Sequence, residues 1–191
     1  MEETRDWLGE LDGAMGDGDL GLTMSTGFRK AAEALRDLDE KDVGKLLAKA
    51  GMVIGQSAPS TMGTLMATGF MKGGKAVQGK EEVQLADLAA LVHAFVEGIM
   101  ARGKAKPGEK TIIDSLHPAA QALDQAISEG RSLKEGLAAA YEAAEKGVEA
   151  TKAMISQHGR PAYYQEKTLG KQDPGATVGM LVLKGFVDYM S

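Results

Sequence analysis

From Phe28 onward, apolar side chains return every three or four residues in block after block, and that rhythm admits helices and little else. Phe28, Ala31, Ala32, Leu35 and Leu38 mark one block, and Val43, Leu46, Leu47, Ala50 and Ile54 the next. A break at Ser57-Ala58-Pro59-Ser60 follows, where Ser60 or Thr61 can cap a fourth helix through Leu65, Phe70 and Met71, ended by Gly73-Gly74 and Gln78-Gly79-Lys80. Leu88, Leu91, Val92, Phe95 and Ile99 form one stripe of a fifth helix running from about Leu85 to Met100. Thr111-Ile112-Ile113-Asp114 has capping-box spacing for a sixth helix, and Ser132-Leu133-Lys134-Glu135 for a seventh that extends to about Gln157. Residues 158–172 are polar and read as a loop. Asp173-Pro174 reads as an N-cap and first turn of a last helix ending at Tyr189. With a short helix over residues 3–14, the expected total is eight. Aromatic residues are only 5% of the chain and β-branched runs are scarce, which agrees with an all-α fold.

Short connections favour antiparallel neighbours in an up-and-down bundle. The loops richest in Gly, Asp, Ser and Thr precede the second, fourth, sixth and eighth helices. In such a bundle alternate junctions lie at the same end, so these loops should meet at one mouth.

The densest of them is Leu11-Asp12-Gly13-Ala14-Met15-Gly16-Asp17-Gly18-Asp19-Leu20-Gly21. Gly and Asp both favour turns over helix or strand. Three carboxylates so close together can point their oxygens at one spot, the arrangement that hard cations such as Mg2+ and Ca2+ require. The plain alternative is a solvated turn whose Asp side chains cap helices. Gly16 to Gly21 formally matches G-x-G-x-x-G, but no strand precedes it, and two carboxylates inside the loop would repel a pyrophosphate. An EF-hand counted from Asp17 would need a Glu where Phe28 stands. Gly69 to Lys75 has Walker A spacing, yet Ala76 replaces the hydroxyl residue and the match lies in a helical pattern.

Other signals exclude classes. There is no cysteine, so neither disulfides nor thiolate metal sites exist. A formal net charge of -5 without a basic stretch argues against a nucleic-acid partner. No apolar run approaches the roughly 20 residues of a membrane span. The acidic start Met1-Glu2-Glu3-Thr4-Arg5-Asp6 is not a signal peptide. The expected location is cytoplasmic. His93, His117 and His158 lack metal-ligand spacing, and His93, in an apolar helix, reads as a core residue. Arg160 is a natural partner for phosphate oxygens, although a loop Arg is more often merely solvated. The helix start at Asp173 favours anions, partly offset by its own Asp cap.

Taken in order, four segments resemble the nucleotide-binding L subunits, or L domains, of dihydroxyacetone kinases. They are Leu11 to Gly21, Lys104 to Thr111 (with Gly103, a Gly-Lys-Ala-x-Pro-Gly-x-Lys-Thr run), Gly159-Arg160, and Gly170 to Thr177. They span nearly the whole chain, which implies one domain over residues 1–191. The resemblance implies an eight-helix antiparallel barrel with ADP or ATP at one end. Asp12, Asp17 and Asp19 would hold two Mg2+ ions that bridge the nucleotide phosphates, and together with Arg160 they are the candidate catalytic residues. Leu20, Gly21, Leu22 and Thr23 would continue the phosphate and nucleotide contacts, and Ser60 and Thr61 would add to the phosphate cradle. Gly103, Ile112, Arg160, Asp173, Pro174 and Gly175 match positions that line the nucleotide.

The implied activity is phosphoryl transfer to dihydroxyacetone or a related ketose, held covalently through a histidine of a separate K-type subunit. In one branch of the family a phosphotransferase-system protein recharges bound ADP; in another, ATP exchanges freely. A homodimer stays open. So does a reading from a different class, in which the nucleotide-loaded chain signals phosphorylation state to a regulator and catalyses nothing. Two departures fall on the phosphate cradle. Leu20 stands where the family usually has His, and Ala58-Pro59-Ser60-Thr61-Met62-Gly63 replaces a Gly-Gly-x-Ser-Gly loop. They point to a divergent branch, with another small ketose as candidate substrate.

Overall fold

The helices expected from periodicity are present in a computed structural model that describes residues 1–190. In chain order they are α1 (Arg5–Gly13), α2 (Leu20–Leu35), α3 (Val43–Ser57), α4 (Thr61–Ala76), α5 (Leu85–Gly103), α6 (Ile113–Ser128), α7 (Leu133–Ala150) and α8 (Pro174–Met190). Two 3-10 segments, Thr151–Ala153 and Arg160–Thr168, lie between α7 and α8. Among the described residues there is no strand, and no helix is long and apolar enough to cross a membrane.

Each helix packs on the next, and α8 returns to α1, closing an antiparallel ring. The inward stripes form one continuous core that includes Leu8, Met24, Ile54, Met66, Ile99, Leu123 and Leu183. Phe28, Phe70 and Phe95, from α2, α4 and α5, meet edge to face with ring centroids 5.9 and 5.2 Å apart. Such pairs add about 0.5–1.5 kcal/mol each beyond burial.

Several boundaries differ from the sequence reading, each for a local reason. α4 runs through Gly73-Gly74 to Ala76. A Cβ on Gly74 would come within 2.5 Å of the Gly44 carbonyl, so the glycine serves the close approach of α3 and α4 rather than a helix stop. Leu38 falls outside α2 and is exposed. α7 stops at Ala150, not near Gln157. Thr151 turns the chain there: its hydroxyl donates to the Val148 carbonyl at 2.6 Å and accepts from the Asp173 amide at 3.0 Å. Residues 160–168 are coiled rather than an open loop, with a kink at Gln165 (φ 47°, ψ -123°). Only half of the expected Thr111–Asp114 box forms. Asp114 accepts from the Thr111 amide at 2.7 Å, while the Thr111 hydroxyl accepts from the Ile113 amide at 3.2 Å. The Ser132–Glu135 box is complete.

Candidate functional site

The four polar junctions do meet. Residues from the α1–α2, α3–α4, α5–α6 and α7–α8 connections wall a single cleft of about 440 Å³ at one end of the ring.

On the α1–α2 side, one carboxylate oxygen each from Asp12, Asp17 and Asp19 lies within 4.8 Å of the others. Asp12 is carried on the last turn of α1 and is half-buried; Asp17 and Asp19 stand on the exposed loop. Asp19 occupies the N-cap position of α2, yet its side chain accepts no hydrogen bond from the helix. The Leu20 amide donates to Asp12 instead, at 3.3 Å. The capping alternative therefore leaves Asp19 uncommitted. Burial pushes the Asp12 carboxyl up, and the charges of Asp17 and Asp19 push it the same way, against the Leu20 and Gly18 amides. Repulsion of this kind is relieved by a cation among the three, and an all-oxygen donor set suits Mg2+. Gly16 is part of the arrangement, since a Cβ there would collide with the Asp12 carboxylate. The facing positive charge is Arg160, whose guanidinium lies 2.8 Å from Asp17.

Across the cleft, Ser60 caps α4 by accepting from the Gly63 amide at 3.0 Å, and Thr61 opens the helix. Met62, Leu65 and Ile112 supply apolar wall. Asp173, 5% exposed, caps α8 through the Ala176 amide at 2.7 Å. Burial pushes its carboxyl up to about 7, against the pull of the Ala176 amide and the Lys110 charge.

The cleft thus brings together Asp12, Asp17, Asp19, Leu20, Ser60, Thr61, Ile112, Arg160, Asp173, Pro174 and Gly175. Gly21, Leu22, Thr23 and Gly103 are not in its wall. Because α2 already begins at Leu20, helical rotation turns the positions after it away: Gly21 abuts the Arg5 carbonyl so closely that a Cβ would collide, and Leu22 is exposed. Gly103 ends α5 and packs on Leu65, which does line the cleft. His93 is not a core residue; it is half-exposed and pairs with Asp124 at 2.9 Å.

Sequence reasoning assigned no role to Lys110 or His158, and both lie in the wall. His158 pairs with Glu109 at 2.6 Å, which holds the Glu109 carboxyl below its ordinary value. The one available signal was position, since Lys110 lies within the Lys104–Thr111 run and His158 adjoins Gly159-Arg160.

An all-helical ring with an acidic, glycine-rich loop opposite two helix N-termini defines a class of bundle whose cleft could take a metal-bound anionic ligand. Residues 14–188 match the DAK2 domain model, and the chain belongs to that family. It is 35% identical over 179 residues to the PEP-dependent dihydroxyacetone kinase, ADP-binding subunit DhaL, of Escherichia coli K12, covering 94% of this chain and 85% of that one. It is 32% identical over 178 residues to the L-erythrulose kinase of Pectobacterium atrosepticum, covering 92% of this chain but 30% of the relative. The dihydroxyacetone kinase of C. freundii solved with AMP-PNP and Mg2+ superposes with a TM-score of 0.71 at 26% identity, and its native form with 0.76 at 25%. Those alignments take in 98% of this chain and about a third of the C. freundii chain.

Proposed function

We propose that this chain binds ADP or ATP with two Mg2+ ions in the cleft, as the nucleotide subunit of a kinase for dihydroxyacetone or a related small ketose. The carrying observation is the trio Asp12, Asp17 and Asp19, converged to within 4.8 Å with Asp19 free of its cap, in a cleft built from all four polar junctions. Support also comes from relatives named as ADP-binding subunits and from the AMP-PNP and Mg2+ complex of the C. freundii enzyme.

The three carboxylates would hold the ions. Bound Mg2+ supplies charge neutralisation on the phosphates, in a transfer whose catalysis is mostly electrostatic and positional. Ser60 and Thr61 offer hydroxyl groups to phosphate oxygens, and Arg160 offers a planar pair of donors. Met62, Leu65 and Ile112 give an apolar wall to the base, while Asp173 to Gly175 bound the cleft at α8. Leu20 presents an apolar side chain there and can accept no proton. The ketose would be held by a separate K-type subunit docked over the mouth, with ATP or a phosphotransferase-system protein renewing the phosphoryl group. The same reading makes residues 1–191 one domain and the protein cytoplasmic.

Two measurements test this. Mass spectrometry of the purified chain asks whether ADP is retained, and retention favours recharging by a phosphoprotein. Mixing with a K-type subunit, the ketose and a phosphoryl source, either ATP or a phosphorylated phosphotransferase-system protein, should produce phosphorylated ketose. Tight Mg-ADP binding with no transfer in any such mixture would favour the regulatory alternative.

A further inference from the structure

Lys110 is buried, 2% exposed, in the wall of the cleft. Its backbone is left-handed, with φ 59°, a conformation uncommon for a residue with a Cβ. Its ammonium donates to three backbone carbonyls, of Thr168 at 2.6 Å, Lys171 at 2.7 Å and Met154 at 3.2 Å. An ammonium has three N–H donors. All three are committed, so none remains for a phosphate oxygen.

The acceptors are distributed in a telling way. Met154 and Thr168 stand on either side of the neck of segment 155–167, which carries His158, Gly159 and Arg160 into the cleft wall. Lys171 lies on the approach to Asp173 and α8. The neck has further ties: the Ser156 amide donates to the Thr168 hydroxyl at 3.1 Å, and the Gly170 amide to the Lys152 carbonyl at 2.7 Å. The outer part of the segment is open to solvent, with Tyr163 at 89% exposed. One ammonium therefore joins both arms of the α7–α8 connection to the α5–α6 loop.

We propose that Lys110 is a positioning residue for nucleotide binding, holding Arg160 on one arm and Asp173 to Gly175 on the other against the cleft without touching the ligand itself. This rests on the nucleotide reading of the cleft.

The test uses Lys110→Met, Arg160→Gln and the double variant, with calorimetry of ADP in Mg2+ and amide hydrogen exchange. Lys110→Met should weaken ADP binding at least about tenfold, the scale of one lost charge-assisted hydrogen bond. The double variant should bind as weakly as Lys110→Met alone, because Arg160 is already displaced. Multiplying losses would mean that Lys110 acts independently of Arg160, and would overturn the proposal. The Ser156 and Gly170 amides should exchange at least about tenfold faster in Lys110→Met, with α4 and α5 unchanged; unchanged neck exchange would also overturn it. Lys110→Cys converted to S-aminoethylcysteine restores an ammonium selectively, since the chain has no other cysteine, and should recover ADP binding. Failure of that rescue, in a product that folds, counts against the proposal. Should Lys110→Met not fold, Thr168→Val loosens the same neck with Lys110 intact, and must weaken ADP binding and speed exchange of the Gly170 amide, whose acceptor is the Lys152 carbonyl. If the unmodified chain binds no ADP, the nucleotide reading falls, and neck exchange still accepts or rejects the staple.

Discussion

At the end of the ring away from the cleft, Asp42 caps α3 through the Lys45 amide and also accepts from Gly79, while Ser132 and Glu135 close a reciprocal cap on α7. Charged side chains there sit beside opposite ones: Lys45 with Glu40, Lys80 with Asp87, Arg131 with Glu129. At the cleft end, Asp19 stands in a cap position without capping, and three carboxylates crowd together facing one exposed arginine. One end commits its polar groups locally and gains a little stability from each. The other, although Ser60 and Asp173 cap their helices there, leaves three like charges together at the α1–α2 turn, which costs stability unless something binds. The difference separates turns that end helices from turns that form a site.

The largest expected effect breaks that contrast at the acid trio. Asp17→Asn or Asp19→Asn should abolish Mg2+-dependent ADP binding, measured by calorimetry, with the helical circular dichroism intact. Tight ADP binding by either variant would refute the ligand assignment.

Next comes the pH dependence of the unliganded chain. Burial raises Asp173 from 3.8 to about 7, so the folded state holds this proton more tightly than the unfolded state. Its contribution to stability is then fully present below about pH 4 and is lost as pH rises through about 7. At about 1.4 kcal/mol per unit, this amounts to a few kcal/mol. Urea melts should show stability falling across that window, and Asp173→Asn should flatten the slope.

The smallest effect probes the opposite end. Ser132→Ala should cost about 1 kcal/mol in a chemical melt, the usual loss of an N-cap, and leave ADP affinity unchanged. A change in affinity would mean the two ends are not separable.

The helices were legible because their apolar stripes are local patterns, and the meeting of alternate junctions followed from short connections alone. Gly73 and Gly74 misled because the same residue type ends a helix or lets two helices approach, and only the neighbour decides. Lys110 could not be read, because its partners lie 44, 58 and 61 residues away in a connection without periodicity. His158 was hidden similarly by its pairing with Glu109, 49 residues distant. Within Leu20 to Thr23, the family resemblance carried four positions together, while helical rotation brings only the first to the cleft wall.

The most direct test is a titration of the purified chain, freed of any retained nucleotide, with ADP in Mg2+ and again in excess chelator. Carboxylates that need a cation to accept a phosphate should give saturable binding in Mg2+ and none with chelator. Equal affinity in both conditions would contradict the metal-centred reading of Asp12, Asp17 and Asp19.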